Sequence, residues 1–148
     1  MNRIVAAVVA GVIAMSPMAA SAQDYGRYSD AAAQTELGRI AIVDMAVMAP
    51  MRDGVGLATN VYRPKDAKGP LPTILWKTPY NELACSPRTT RNALTWVSRG
   101  YAFVVQNERG RYFSQGEYEI LGHPQTDGYD SLTWIAAQPW SNGKVGTL

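Results

Sequence analysis

LPTILWKTPYNELACSPRTTRNALTWVSRGYAFVVQ, residues 71–106, is the stretch whose reading decides the fold. Thr73 to Lys77 reads as an almost continuous apolar strand. Ser86-Pro87 follows, an N-cap and a first-turn proline that together start a helix. Ala93, Leu94 and Val97 fall at helical spacing, and Gly100 ends the helix as a left-handed cap does. Tyr101 to Gln106 is a second run of apolar and β-branched residues, short enough for a buried strand. Strand, helix, strand implies parallel pairing through a right-handed crossover.

Upstream, Ile40 to Met48 is a short apolar run broken by APMRDGVG (49–56). Leu57 to Tyr62 then alternates apolar and polar before Arg63-Pro64. These two runs read as an antiparallel pair with one wet face. Downstream, a polar loop from Asn107 to Gln125 leads to a helix over 126–138, with Tyr129, Leu132 and Ala136 on one face and Pro139 at its end. Asn142-Gly143 reads as a tight turn, and Lys144 to Leu148 as the start of a buried strand, central in type but left as a bare edge in this chain. The class is therefore α/β: an antiparallel pair leading into a mostly parallel sheet with crossover helices. Such sheets build their sites where loops leave the carboxyl ends of the strands. One loop begins at Thr78-Pro79-Tyr80, one at Asn107-Glu108-Arg109-Gly110, and one just after Leu148.

A chain of 148 residues holds one domain at most. Residues 1–22 read as a signal peptide: Met1-Asn2-Arg3 is the charged start, Ile4 to Met15 the short apolar region, and Ala20-Ser21-Ala22 the cleavage site before Gln23. The mature chain is then expected to be exported, to the periplasm or the medium. Residues 23–39 are polar with scattered alanines, a linker or a short helical arm, and residues 40–148 form the domain proper. Without Arg3 the net charge falls from +2 to about +1, and no basic run stands out, so nucleic acid is not an expected partner. No other apolar stretch is long enough to span a membrane. The single Cys85 has no internal disulfide partner and reads as a buried or partly buried thiol without a catalytic role.

Four segments, taken in order, carry a resemblance: MRDGVGLATNVYRP, PTILWKTPYN, RGYAFVVQNERGRYFSQGEY and DGYDSLTWIAAQPWSNGKVG. Together they resemble the cocaine esterase and Xaa-Pro dipeptidyl-peptidase group of α/β-hydrolases, which includes α-amino-acid ester hydrolases and glutaryl-type β-lactam acylases. The likeness runs from about Ala46 to Leu148. It implies a serine hydrolase with a Ser-Asp-His triad and no cofactor, acting on a small ester, an amide or a short peptide. It also implies that the nucleophile sits on a sharp G-x-S-x-G turn just after the strand aligned with Lys144 to Leu148. On that reading the chain is the N-terminal portion of the enzyme, without the triad and inactive by itself. A β-lactam acylase, an aminoacyl-peptidase and a non-catalytic exported binding fragment stand as alternatives.

Tyr80 is the candidate catalytic residue of this segment. In the resembling family, the tyrosine of the PY pair donates its phenol O–H to the oxyanion. A phenol ionises near pH 10, so it remains a donor at neutral pH. The competing reading is a half-buried tyrosine that merely packs. Arg109-Gly110-Arg111 offers a substrate-carboxylate clamp, or an Arg fork bound to loop carbonyls or a nearby acid, with Gly110 supplying an unusual backbone angle. The structural reading is preferred for Arg109, although Asn107-Glu108 replace the aspartate that usually precedes this arginine in the family. His123, the only histidine, reads as a surface-loop residue; Asp127 and Asp130 as helix-start carboxylates in solvent; Asp53-Gly54 as turn chemistry. Ser114 is the least implausible nucleophile among serines that all lack the sharp turn. No His, Cys, Asp and Glu cluster has metal-ligand spacing, and no glycine-rich phosphate loop appears.

Overall fold

The computed structural model describes residues 30–84, 86–120 and 123–148. The signal-peptide reading and Cys85 lie outside the described residues. The elements are α1 (Asp30–Ile40), β1 (Ala41–Pro50), β2 (Gly56–Pro64), β3 (Leu71–Thr78), α2 (Pro87–Val97), β4 (Ala102–Asn107), a π-helical turn (Pro124–Gly128) running into α3 (Tyr129–Ala136), and β5 (Ser141–Thr147). α1 occupies part of the stretch read as a polar linker or helical arm. Ala33 and Leu37 are buried along it, and Leu37 joins the core with Ala93 and Val97 of α2.

The five strands lie in the order β1-β2-β4-β3-β5. β1 pairs antiparallel with β2, and β2 antiparallel with β4. β3 is parallel to both β4 and β5. The chain therefore moves one way along the sheet from β3 to β4, then back past β3 to β5. Crossovers of one hand in opposite directions put their helices on opposite faces. Packing agrees. Phe103 and Val105 of β4 join Trp76 beneath α2, whereas Val104 and Leu75 face Ile135 of α3. Successive residues of a strand point to opposite faces, which is why β3 and β4 read as unbroken apolar runs.

The helix ends follow their local chemistry. The Ser86 hydroxyl accepts from the Thr89 N–H, and Pro87 occupies the first turn. Gly100 takes φ +81, as expected beyond the helix. Three expectations need correction. β2 is buried along nearly its whole length while β1 is largely exposed, so the antiparallel pair does not share one wet face. The sheet-facing side of α3 is Ser131 and Ile135, fully buried, with Leu132 only partly so; Tyr129 is exposed, and Ala136 as well. Asp127, Ser131 and Ile135, four positions apart, form the buried row. The last correction concerns the approach to β5, which is the outer strand of the described sheet and largely exposed. Asn142-Gly143 lies inside it as an irregularity between the pairs Leu71–Ser141 and Thr73–Val145, not as a turn before it.

Candidate active site

The loops leaving β3 and β4 meet at the carboxyl edge of the sheet, and hydrogen bonds lock one onto the other. The Tyr80 N–H donates to Thr78 Oγ1 at 3.2 Å. The Tyr80 carbonyl accepts from Asn107 Nδ2 and from the Glu82 N–H, both at 2.8 Å. The Pro79 carbonyl accepts from Arg111 Nε at 3.0 Å, and the Glu108 N–H donates to the Thr78 carbonyl at 3.0 Å. The backbone of Tyr80 is thus pinned while its side chain stays 62% exposed. On the far side of β3, Leu75 pairs with Thr147 and its carbonyl accepts from the Leu148 N–H at 3.0 Å. β5 therefore runs toward the same edge, next to the strand that carries Tyr80.

Arg109 takes its structural role. Its Nε and Nη2 bind the Asp127 carboxylate at 2.9 and 2.7 Å, and its Nη1 binds Asp53 at 2.7 Å. The side chains of Arg109 and Asp127 are only 12% and 5% exposed. Hydrogen bonds first to Asp127, then to Asp53, hold the guanidinium still more firmly protonated. The partners are thus acids and not loop carbonyls. Asp127 is correspondingly no solvated cap; its carboxylate is buried against Arg109. Asp130 also differs from the solvated reading, because it accepts from the Arg52 backbone N–H and guanidinium. Asp53 keeps its turn role, accepting from the Val55 N–H, and adds the Arg109 bond. Gly110 sits at φ +66, where a Cβ would stand 2.3 Å from the Tyr118 nitrogen, so only glycine fits.

The remaining polar candidates divide into structural and surface groups. The Ser114 hydroxyl accepts from the Ala58 N–H and donates to the Asn107 carbonyl, tying β2 to the end of β4. His123 lies on the surface with Nε2 3.5 Å from Glu119. Lys77 and Asn107 were not singled out by sequence reasoning. The Lys77 amine donates to Gln106 Oε1 and Ser131 Oγ, and burial pushes it below its ordinary range. Its one sequence signal is a lysine closing an apolar strand. For Asn107 the signal is its place at the end of β4, where a side chain can reach across to the β3 loop. Among the described residues no cluster of His, Cys, Asp and Glu could hold a metal, and no helix is long and apolar enough to cross a membrane.

The family model for the X-Pro dipeptidyl-peptidases of the S15 family matches residues 53–148. The chain belongs to that S15 family. Cocaine esterase of Rhodococcus sp. (strain MB1 Bresler) is 46% identical to it over 103 residues, covering 68% of this chain and 18% of that enzyme. Among solved structures, an α-amino acid ester hydrolase superposes with a TM-score of 0.63 at 30% identity, covering 90% of this chain and 24% of the other. An aminopeptidase from a marine sediment archaeon, Thaumarchaeota archaeon, gives a TM-score of 0.60 at 29% identity, covering 72% of this chain and 21% of the other. The chain thus spans about a fifth of the length of these S15-like relatives. The matched part is a hydrolase-type α/β sheet, the class expected from the strand-helix-strand pattern.

Proposed function

We propose that the whole protein is a serine-type hydrolase that cleaves a small-molecule ester through an acyl-enzyme, with Tyr80 donating to the oxyanion. The observation that carries this reading is the exposed Tyr80 side chain on a pinned backbone at the carboxyl edge of β3, beside β5. Hydrolysis of an ester passes through a tetrahedral intermediate with a full charge on the former carbonyl oxygen. A donor that is already fixed when that charge develops lowers the barrier without reorganisation. Asn107, Thr78 and Glu82 fix the backbone from which the Tyr80 phenol projects, and its exposure leaves that phenol available to a substrate. A serine oxygen, deprotonated by a histidine, would add to the carbonyl; collapse would expel the alcohol and leave the acyl-enzyme for water. In this reading the triad and the second donor, a backbone N–H, are supplied beyond β5, as the family resemblance implies. Identity to cocaine esterase favours an ester over an amide. Likeness to an aminopeptidase keeps amides and short peptides as a second reading.

The test is labelling of the whole protein with a fluorophosphonate probe, alongside hydrolysis of p-nitrophenyl acetate and of an alanyl p-nitroanilide. Labelling with faster ester turnover supports the proposal; labelling with faster anilide turnover supports the peptidase. Absence of both labelling and turnover would leave a non-catalytic exported binding fragment. We also propose export, supported by the signal-peptide pattern of residues 1–22. A mature N-terminus at Gln23 in the periplasmic or secreted fraction is the expected result by mass spectrometry, and protein confined to the cytoplasm with an intact Met1 would contradict it.

A further inference from the structure

We propose that Arg111 is a substrate-binding residue that recognises a carboxylate on the molecule being cleaved, beside the oxyanion donor Tyr80; this rests on the hydrolase reading above. Arg109 and Arg111 stand two positions apart in one loop, yet the structure treats them differently. Arg109 is consumed by Asp127 and Asp53. Arg111 spends Nε on the Pro79 carbonyl, at 3.0 Å. Among the described residues its two terminal nitrogens have no hydrogen-bond partner, and no carboxylate lies within ion-pairing distance of it. Arg52, Arg63 and Arg39, by contrast, each hold an acid.

The guanidinium is nevertheless held in one place. Its carbon lies 4.7 Å from the centre of the Tyr118 ring and 5.3 Å from that of Tyr112. Tyr112 takes φ +49, a backbone conformation that non-glycine residues adopt only where the surroundings impose it, and here it brings the ring to the cation. Aromatic faces and the Nε bond fix the plane of the guanidinium and leave the Nη edge open. That edge is the one that grips a carboxylate with two parallel hydrogen bonds. The side chain is half-buried, so an incoming anion meets a weaker solvent screen than at an open surface.

Position completes the argument. Nε holds the carbonyl of Pro79, the residue directly before Tyr80. The guanidinium is thus anchored to the same loop that carries Tyr80, and a substrate held along that loop could span from the phenol to the Arg111 edge. The chemistry that fits is an ester or amide carrying a free carboxylate a few carbons from the bond that is cut. The negative charge would neutralise a cation that the described residues leave unpaired, and the two-point contact would orient the carbonyl relative to Tyr80.

The experiment is a titration of this chain with monomethyl succinate and, separately, with dimethyl succinate. The readouts are the Arg111 Nε–H resonance and the ring resonances of Tyr112 and Tyr118. The monoester is expected to shift all three and the diester none, with binding weakened by added sodium chloride. Arg111→Gln should weaken monoester binding by about tenfold or more. Arg111→Lys keeps the charge, loses the fork, and should fall between the two. Equal shifts with both esters, or undiminished binding in Arg111→Gln with its ring resonances in place, would overturn the site. In the whole protein, the ratio of kcat/KM for monoester over diester should drop about tenfold in Arg111→Gln. If the whole protein neither takes up the fluorophosphonate probe nor hydrolyses p-nitrophenyl acetate, the hydrolase reading fails while the titration still decides the carboxylate site. If Tyr80→Phe slows hydrolysis but the titration shows no preference for the monoester, the carboxylate site alone is wrong.

Discussion

Arg109 links three segments through two acids, the β1–β2 turn at Asp53, its own loop after β4, and the π-turn at Asp127. Removing it leaves the Asp127 carboxylate buried without a partner. Arg109→Met should cost about 3 kcal/mol in denaturant unfolding, the low end for a broken buried pair because Asp53 is half exposed. Adding Asp127→Leu should recover part of the loss; a single variant as stable as the parent would contradict this role. The acids also set an acid limit. Arg109 and the Val55 N–H hold Asp53 below the ordinary carboxyl range, and Arg52 does the same for Asp130. A carboxyl depressed on folding contributes stability that is complete above its unfolded pKa, about 3.9, and is lost as pH falls through the lower folded value. The melting temperature should therefore fall with acid from about pH 4 downward, and less steeply in Asp130→Asn. Equal slopes for the two proteins would remove Asp130 from the account. Sequence reasoning reached the structural role of Arg109 but not its partners, because Asp53 and Asp127 lie far apart in the chain and meet only in the fold.

At the scale of elements, β3, α2 and β4 were legible because each obeys a strong local rule. Two apolar runs are buried on both faces, and a serine and a proline start the helix between them. Phe103 sits at the centre of this unit, packed against Tyr62 and Trp76. Phe103→Ala should destabilise by about 3–5 kcal/mol, read from the urea midpoint; a change below about 1 kcal/mol would mean that the core lies elsewhere. α3 was legible as a helix but not in its facing. Two positions of its buried row, Asp127 and Ser131, are polar and bond Arg109 and Gln106, which apolar spacing cannot reveal. The Arg109–Tyr118 loop has no periodicity to read at all, and its shape depends on Gly110. Gly110→Ala must move the Tyr118 backbone, so a loss of about 1–3 kcal/mol is expected, with altered Tyr118 ring resonances. Unchanged resonances and stability would show that the loop does not need the left-handed angle.

The whole molecule is a doubly covered sheet whose two loop-bearing parallel strands, β3 and β4, deliver Tyr80 to one edge and whose outer strand, β5, ends beside it. That parallel pairing was legible from the alternation of strands and helices, though not the order of the strands. The bare outer edge of β5 was legible too, because a strand read as central lacks its next neighbour in this chain. Among the described residues the outer edge of β5 is unpaired, and open edges recruit other strands. The 148-residue chain should therefore associate as its concentration rises in sedimentation velocity, and a concentration-independent monomer would contradict this. The claim on which the functional account turns is that the pinned tyrosine donates to the oxyanion. Its most direct test is the rate of acylation of the whole protein by p-nitrophenyl acetate, compared between the parent and Tyr80→Phe. The account predicts a fall of about 10²–10³ in the rate with little change in KM, as for the loss of one oxyanion donor; an acylation rate equal to the parent's would contradict it.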